Sequence, residues 1–464
     1  MITRRGLIAA GLAPAARKPN IVFLYSDDQG AWTLGASGNK QTRTPHADRL
    51  CREGAYFENS FTTTPVCSPS RASLMTGRYA LEVGIEDFLN PTADRDKGLD
   101  PKHPVWPRIL REAGYRTGLV GKWHLGYQPR FHPSRFGFEY FAGFLGGGSG
   151  PMDPLLEVDG VAKQFRGSTP DIFTSHAVEF IRRHKAEPFV LCCHYREPHA
   201  SNAAGGPART WLPLPDADWA RFRDLDPAIP NPDFDKLDVP EIKRMMREYL
   251  ASVACLDRNV GRVLALLDEL DLARDTIVVF TGDNGMNMGH NGIWHKGNGR
   301  FMLKGNRGDR PNLYDQSLRV PAVVRFPRRI RPGTRIQQTI SNLDWFPSLL
   351  RLTGTPVPAG ATIRGRDWTP LLTGRRTRWD NSLHAEYNMR HGTQADLRGW
   401  RTPEWKLVRD LRRPGHGEFY DLKRDPAEAA NLIHSSDPAV RKTIEQFDAR
   451  LHARMSELGT GSRA

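Results

Sequence analysis

The most informative polar residues of this chain come directly after short apolar runs. Asp27 and Asp28 follow the run NIVFLYS, and Asp283 and Asn284 follow the run TIVVFTG. These four side chains offer only oxygen ligands, which hard cations such as calcium and magnesium prefer. An acid pair alone is equally typical of a helix cap or a turn, but a second acid-amide pair after another apolar run favours a metal. The pattern predicts a divalent-cation site, with calcium as the first choice.

Two other apolar runs end in groups that can bind anions or transfer protons. RTGLVG is followed by Lys122 and His124, and FVLCCHY is followed closely by His199. Ligands of open α/β sheets bind beyond the carboxyl ends of the strands. We therefore expect the polar residues after all four runs to meet at one rim of a sheet.

Cys67 begins the segment CSPSRASLMTGR, which predicts a loop that enters a helix with Pro69 in its first turn. The N–H groups of that helix would face an anion held at position 67. Arg71 lies about one helical turn further on, where its guanidinium could grip oxyanions. Without other information, a cysteine before a helix is more typical of a protein core than of a catalyst.

The string CSPSR matches the C-x-P-x-R signature of the sulfatase family, and its extension through LMTGRY resembles that family closely. Other segments that resemble the family are NIVFLYSDDQG, GKWHLG, EPH, TGDNG, GIWHKGNG, YDQSLRVP and EFYDLKRDPAEAANL. The resemblance covers most of the chain. It implies an α/β fold, the alkaline-phosphatase-like sandwich with a mixed central sheet, plus a small C-terminal α+β subdomain.

The resemblance also implies a cofactor and a set of site residues. Cys67 would be oxidised to formylglycine by a formylglycine-generating enzyme, and one calcium ion would be bound per chain. The implied metal ligands are Asp27, Asp28, Asp283 and Asn284. The implied catalytic residues are Cys67, Arg71, Lys122, His124, His199 and Lys296.

Each catalytic residue has an implied role. Arg71 and Lys122 would stabilise the hydrated aldehyde at position 67, and Lys296 would hold a sulfate oxygen. His199 would protonate the departing alcohol, and His124 would take the proton from the second hydroxyl. The chemistry is covalent catalysis with electrostatic support of a charged transition state.

Two assignments stay open at this point. His194 lies on the same strand end as His199, and Lys304 follows Lys296 in a glycine-rich loop, so either neighbour could be the functional one. His290 and His295 could reach the substrate or be idle loop residues. The segment 304–311 (KGNRGDRP) looks like an insertion relative to the family's usual spacing.

The elements that must position these residues form an alternating pattern. Apolar runs at 21–25, 117–120, 189–193 and 277–281 predict buried parallel strands. Helices are expected at 107–113, 172–184 and 240–270, the last broken once. Near the C-terminus, 400–409 and 418–422 predict short strands, and 437–457 predicts a closing helix.

Composition supports a globular chain and narrows the partners. The 464 residues are 39% hydrophobic and 25% charged, enough for one large domain and a smaller one. The net charge of +14 suits a sulfated glycan or small molecule. We expect no nucleic-acid partner, because zinc-finger, zipper and RNP signatures are missing, and no membrane span, because no run reaches about 18 apolar residues.

The chain is expected to divide into three parts. Residues 1–17 begin with MITRRGLIAAGLAPAA, which resembles a short twin-arginine export signal and favours a periplasmic or secreted protein. Because the apolar run is short, a cytoplasmic location stays open. Residues 18–363 would form the catalytic domain, and 364–464 the C-terminal subdomain.

The sequence thus predicts a hydrolase of sulfate esters, with a sulfated carbohydrate as the favoured substrate class. A phosphonate monoester or phosphodiester hydrolase with the same oxidised cysteine is the alternative within catalysis. An inactive protein that binds sulfated glycans is the alternative outside it.

Overall fold

The structure is a computed structural model that describes residues 17–201, 209–374 and 377–461. The twin-arginine segment at 1–16 therefore lies outside the described residues. Within those ranges, no helix is both long enough and apolar enough to span a membrane.

The larger sheet of the described chain has ten strands and is mixed. Its strands are β1 (Asn20–Ser26), β2 (Ala55–Phe61), β3 (Arg116–Lys122), β4 (Tyr140–Phe144), β5 (Leu155–Val158), β6 (Val161–Gln164), β7 (Phe189–His194), β8 (Thr276–Gly282), β9 (Ala322–Arg325) and β10 (Thr334–Ser341). Their spatial order is β10-β2-β9-β8-β1-β7-β3-β4-β5-β6. The neighbours β8, β1, β7 and β3 are all parallel, whereas β9 is antiparallel to β8 and β2. All four runs predicted as parallel strands are therefore central strands of one sheet.

Helices cover both faces of this sheet. They are α1 (Pro45–Glu53), α2 (Cys67–Thr76), α3 (Trp106–Glu112), α4 (Thr169–His184), α5 (Asp216–Trp219), α6 (Val239–Glu269), α7 (Asp315–Leu318), α8 (Trp345–Thr353) and α9 (Pro438–Leu458). Side chains of β1 alternate between two cores, because successive residues of a strand point to opposite faces. Val22 and Leu24 join the core that contains residues of α4 and α6. Ile21 and Phe23 join the core that contains residues of α2, α3 and α8.

A separate antiparallel sheet lies in the C-terminal region. Its strands, in spatial order, are β11 (Leu383–Met389), β12 (Ala395–Arg401), β13 (Trp405–Asp410) and β14 (Glu418–Asp421). One face packs against α9. The other face shares a core with Phe61 and Val66, so the C-terminal sheet directly supports the residue that precedes Cys67. The predicted mixed sheet with helices and a small C-terminal α+β unit is confirmed.

The expected domain boundary near residue 364 remains a proposal. Trp368 and Leu371 lie beyond that position and still pack in the core of the larger sheet.

Two details of the predicted elements are wrong. Helix α6 is one unbroken helix of 31 residues. Gly261, which could suggest a break, instead allows a close approach, since a Cβ there would lie 2.6 Å from the His46 ring. The predicted single strand at 400–409 is in fact the end of β12, a turn and most of β13. The turn is closed by the Thr402 N–H, which donates to the Trp405 carbonyl at 2.8 Å.

Candidate active site

The parallel strands bring the predicted acids together at one rim. Ser26 of β1 and Gly282 of β8 are in register, so Asp27 and Asp283 leave neighbouring strands at the same level. The Asp283 N–H donates to the Ser26 carbonyl at 3.0 Å, and the Asp28 N–H donates to Asp283 Oδ1 at 3.1 Å. Asp28 adopts a left-handed backbone with φ of 65°, a conformation that is uncommon outside glycine and concentrates at functional sites.

Cys67 is the first residue of α2 and is buried beside these acids. Its thiol donates to Asp27 Oδ1 at 3.4 Å. Residues of α2 belong to a hydrophobic core, which fixes the start of the helix relative to the sheet. Burial and the nearby Asp27 carboxylate raise the pKa of the Cys67 thiol to about 12. An unmodified Cys67 is therefore a neutral thiol at physiological pH.

Three buried cations balance the three carboxylates. The Lys122 ammonium lies 2.6 Å from Asp27 Oδ2, and Arg71 Nε donates to Asp283 Oδ2 at 2.9 Å. Lys296 pairs with Asp28. Burial opposes ionisation of Asp27, but Lys122 and the other nearby positive groups outweigh it and hold the pKa of that carboxyl well below its usual range. At Asp283, by contrast, burial and the neighbouring Asp27 raise the pKa to about 7.

The oxygen atoms fit a hard cation. Asp28 Oδ2 and Asn284 Oδ1 are buried and lack a hydrogen-bond donor within the described residues. The Asn284 amide nitrogen donates to Asp28 Oδ1 at 2.8 Å. The amide oxygen of Asn284 is therefore the atom that remains available to a cation. Ligand atoms of Asp27, Asp28, Cys67 and His199 lie within 4.8 Å of one another. A cation would satisfy the unpaired oxygens, and Asp283 adjoins this cluster through its contacts with Arg71 and the Asp28 N–H.

The structure separates the two candidate histidines. His199 lines the cavity above Cys67, and its Nε2 lies 3.8 Å from Asp28 Oδ2. His194 is buried below the rim, where its Nδ1 lies 3.1 Å from the Lys122 carbonyl and 3.5 Å from the Arg71 guanidinium. His194 therefore packs behind Arg71, and His199 faces the space that a substrate would fill.

His124 also lines the cavity. Its Nε2 lies 2.9 Å from the Leu89 carbonyl. A carbonyl only accepts, so Nε2 carries the proton and Nδ1 is the free acceptor of the neutral ring. Burial, reinforced by Lys122, holds the pKa of His124 well below its usual range, which favours that neutral form. Gly147 lies so close to this ring that a Cβ would be 2.7 Å from it.

The two candidate lysines are also separated. Lys296 lines the cavity, and its Nζ donates to Cys67 Sγ at 2.8 Å. Lys304 is exposed, in the segment 304–311, which folds back on itself through bridges between Arg300 and Asp309 and between Leu303 and Asn306. The insertion thus leaves Lys296 at the site and carries Lys304 away from it.

The cavity above Cys67 has a volume of about 370 Å³ and a largely apolar lining. Its large apolar residues, which we together call the apolar wall, are Phe88, Leu89, Pro91, Tyr127 and Trp294. Arg209, His295 and Asn298 also line the cavity, whereas His290 does not line it. The sequence interpretation missed the apolar wall, because its residues come from distant loops. Trp294 is the one residue of this group that the sequence could have indicated, because it adjoins His295 and Lys296 in the segment GIWHKGNG.

A polar network behind Lys296 was also missed. The Asn312 amide nitrogen donates to the carbonyls of Lys296, at 3.1 Å, and Gly297, at 3.3 Å. Its oxygen accepts from Ser317 Oγ at 2.7 Å, and Asn287 donates to Ser317 Oγ at 2.7 Å. All three side chains are buried. They hold the backbone of the lysine loop against the segment YDQSLRVP.

Comparison with known proteins identifies the family of this chain. The sulfatase family model matches residues 19–355. The chain belongs to the sulfatase family. A second model, the C-terminal part of N-sulphoglucosamine sulphohydrolase, matches residues 307–458 of this sulfatase. The predicted family and enzyme class, a sulfuric ester hydrolase, are confirmed.

Individual relatives cover nearly the whole sulfatase. Steryl-sulfatase of Mus musculus is 28% identical over 97% of this chain and 84% of its own. N-acetylgalactosamine-6-sulfatase of Canis lupus familiaris is 30% identical over 79% of this chain and 69% of its own. A solved structure in complex with its substrate D-glucosamine-2-N,6-O-disulfate has a TM-score of 0.82 at 22% identity, covering 96% of this chain and 99% of that one. The likeness to this solved structure shows that the two chains share a fold.

Proposed function

We propose that this sulfatase hydrolyses sulfate esters of a carbohydrate through an oxidised Cys67 and one calcium ion. The observation that supports this most directly is the position of Cys67, at a helix start on the cavity wall, in contact with Asp27 and Lys296. Oxidation of Cys67 to formylglycine supplies a hydrated aldehyde whose hydroxyl can attack sulfur.

Calcium would be held by Asp27, Asp28, Asp283 and Asn284, and it would supply positive charge to the sulfate oxygens. The unpaired oxygens of Asp28 and Asn284 support this assignment. Calcium is preferred to zinc because the four proposed ligands are all oxygens.

The remaining site residues are proposed to handle charge and protons. Arg71 and Lys122 would stabilise negative oxygen at position 67, and Lys296 would bind a sulfate oxygen. His199 would donate the proton that the departing alcohol needs. His124 would accept a proton at Nδ1, the atom that its contact with the Leu89 carbonyl leaves free.

A sulfated carbohydrate is proposed as the substrate class. Relatives of this chain include N-acetylgalactosamine-6-sulfatase and, in Bacteroides thetaiotaomicron, N-acetylglucosamine-6-O-sulfatase. The net charge of +14 also suits a polyanionic substrate. The apolar wall with Tyr127 and Trp294 could contact the apolar face of a sugar ring.

Two measurements test this proposal. Mass analysis of the peptide that contains Cys67, from protein made together with a formylglycine-generating enzyme, should show an aldehyde in place of the thiol. The Cys67→Ala variant should fold and release no sulfate. An unmodified cysteine in fully active enzyme would overturn the nucleophile assignment. An unmodified cysteine in an inactive protein would instead favour the alternative that the protein only binds sulfated glycans.

Matched aryl sulfate and aryl phosphonate esters separate the two catalytic alternatives. We expect a higher kcat/KM on the sulfate ester. A higher value on the phosphonate or on a phosphodiester would favour the alternative hydrolase.

Export is proposed on sequence grounds alone, because Arg4 and Arg5 precede a short apolar run. Cell fractionation of the full chain tests this. Replacing both arginines with lysine should retain the protein in the cytoplasm.

A further inference from the structure

A chain of cavities leads from the catalytic cavity to the C-terminal sheet. The cavity above Cys67 shares Phe88 and Leu89 with a second one of about 180 Å³. The second shares Gly84, Glu86 and Arg390 with a third of about 580 Å³. We call the third the arginine cavity, after its lining residues Arg390, Arg398 and Arg412. The shared lining residues show that the three cavities are neighbours.

Two of the three arginines are neutralised by carboxylates in the same wall. Arg390 Nε donates to Glu86 at 2.9 Å, and Arg390 also pairs with Asp396. Arg412 Nε donates to Asp396 at 3.1 Å. Glu86 and Asp396 are the acidic residues of this wall. In the described residues, Arg398 forms no hydrogen bond with either of these carboxylates.

Among the described residues, the hydrogen-bond acceptors of Arg398 are all neutral. Its guanidinium donates to Asn388 Oδ1 and the Leu397 carbonyl, both at 2.8 Å, and to the Thr460 carbonyl at 3.2 Å. Its Nε has no acceptor within the described residues, and only 4% of the residue is exposed. Glu386, its partner across the β11–β12 pair, accepts from the Leu81 N–H, and its negative charge favours the charged form of Arg398 without a hydrogen bond between the two side chains in the described residues.

This arrangement is costly unless an anion completes it. Removing a cation from water carries a large desolvation penalty that neutral acceptors repay only in part. Burial accordingly lowers the pKa of Arg398. The hydroxyl of Thr460, another lining residue, is also buried without a partner in the described chain. The Arg398 Nε and the Thr460 hydroxyl can both donate, and hydrogen bonds from a charged guanidinium are suited to an anion.

We propose that the arginine cavity binds an anionic group, a sulfate or a carboxylate, on a second sugar of an oligosaccharide whose scissile sulfate lies at Cys67. This inference rests on the proposed function. It makes the substrate an oligosaccharide with at least two anionic groups. Arg398 is the residue that recognises the second group, and Arg412 assists at the mouth, where 47% of its side chain is exposed.

Three matched oligosaccharides test the proposal. Each carries one cleavable sulfate, and the second sugar carries a sulfate, a carboxylate or only a hydroxyl. The readout is the ratio of kcat/KM for each charged substrate to that for the neutral one. We expect the wild type to prefer one or both charged substrates by about tenfold, equivalent to about 1.4 kcal/mol. Arg398→Met should reduce that ratio to about one.

Arg409→Met is the matched control. Arg409 faces Arg398 across the β12–β13 pair but binds Asp448 and does not line the arginine cavity. The control should keep the wild-type ratio. If Arg398→Met does not fold, Arg412→Met serves instead and should lower the ratio in part.

The outcomes separate this proposal from the proposed function. Absence of sulfate release from all three substrates would contradict the proposed function, and calorimetric binding of the same substrates would then test the cavity alone. A wild-type ratio of one, or a ratio unchanged by both cavity variants, would overturn the anion site.

Discussion

The Nζ of Lys296 lies 2.8 Å from Cys67 Sγ and also donates to Asp28 Oδ1. One ammonium thus bridges the proposed nucleophile and a proposed metal ligand. Burial opposes the charge on Lys296, but Asp28 outweighs it and holds the pKa of the lysine well above its usual range. The lysine is therefore a fixed positive charge at the point where a sulfate oxygen would lie.

The first prediction separates proton donation from sulfate binding. His199→Ala should slow an alkyl or sugar sulfate by about two to four powers of ten and largely spare nitrophenyl sulfate, because only a poor leaving group needs the proton. Lys296→Met should slow both substrates comparably, since charge stabilisation of the sulfate serves both. Steady-state rates on the two substrates provide the measurement.

His194→Ala is the control for this prediction. His194 contacts Arg71 and the Lys122 carbonyl and does not line the cavity, so its loss should affect both substrates alike. A leaving-group-selective loss in His194→Ala, with equal losses in His199→Ala, would mean that the acid is assigned to the wrong histidine.

The second prediction concerns the metal. Purified enzyme should contain about one calcium per chain, because the proposed ligands are all oxygens. Asp283→Ala should lower both calcium content and activity, as measured by elemental analysis and sulfate release. Asp257→Asn replaces a buried carboxylate that accepts from the N–H groups of His46 and Ala47, and it should retain the metal. Zinc in place of calcium, or full activity after exhaustive chelation, would contradict the assignment.

The third prediction tests whether Asn312 positions Lys296. Asn312→Ala should lower kcat/KM by about one to two powers of ten, since small displacements of a catalytic group are costly. In a Lys296→Met background the same change should have little further effect, because residues that act together are not additive. Asn312→Ala should reduce the free energy of unfolding by the same amount in the wild-type and Lys296→Met backgrounds. Equal activity losses in both would instead indicate that Asn312 acts independently of Lys296.

The fourth prediction concerns Asp315, which ties α7 to the C-terminal sheet. Its carboxylate accepts from Arg401 at 2.7 Å and from Lys406 at 2.9 Å. Burial opposes its charge, but Arg401 and Lys406 outweigh it and hold its pKa below the ordinary value of 3.8. The stabilisation is therefore complete above that ordinary value and is lost as the pH falls below it.

Asp315→Asn should reduce the free energy of unfolding at neutral pH by about 3–5 kcal/mol, because it leaves the buried Arg401 without a carboxylate, whereas Lys406 keeps its pair with Glu428. The difference from wild type should shrink below about pH 4, as followed by urea unfolding. Glu404→Gln removes the exposed pair with Lys423 and should leave the free energy of unfolding nearly unchanged, because solvent screens exposed ion pairs. A difference for Asp315→Asn that stays constant with pH would contradict this account.

Local sequence was sufficient where a buried strand leads directly into the site. The runs before Asp27 and Asp283 are apolar on every residue that faces a core. Each could therefore be recognised as a buried strand without knowledge of the strands that pair with it. Parallel pairing then places their carboxyl ends at one rim, which is why the proposed metal ligands could be predicted. Local periodicity was insufficient at 400–409, because a tight turn interrupts two strands of similar composition. It also failed for α6, which was predicted to be broken once and is continuous.

The sequence by itself determined the sulfatase family, the α/β sheet and the set of candidate site residues, because motifs and apolar runs are local properties of the chain. Only the tertiary structure placed His199 and Lys296 on the cavity and His194 and Lys304 away from it, since both members of each pair occupy the same loop or strand end. It alone revealed the apolar wall, the Asn312 network and the position of Arg398 in the arginine cavity. These features depend on contacts between segments far apart in sequence, and such contacts leave no pattern in any one of them.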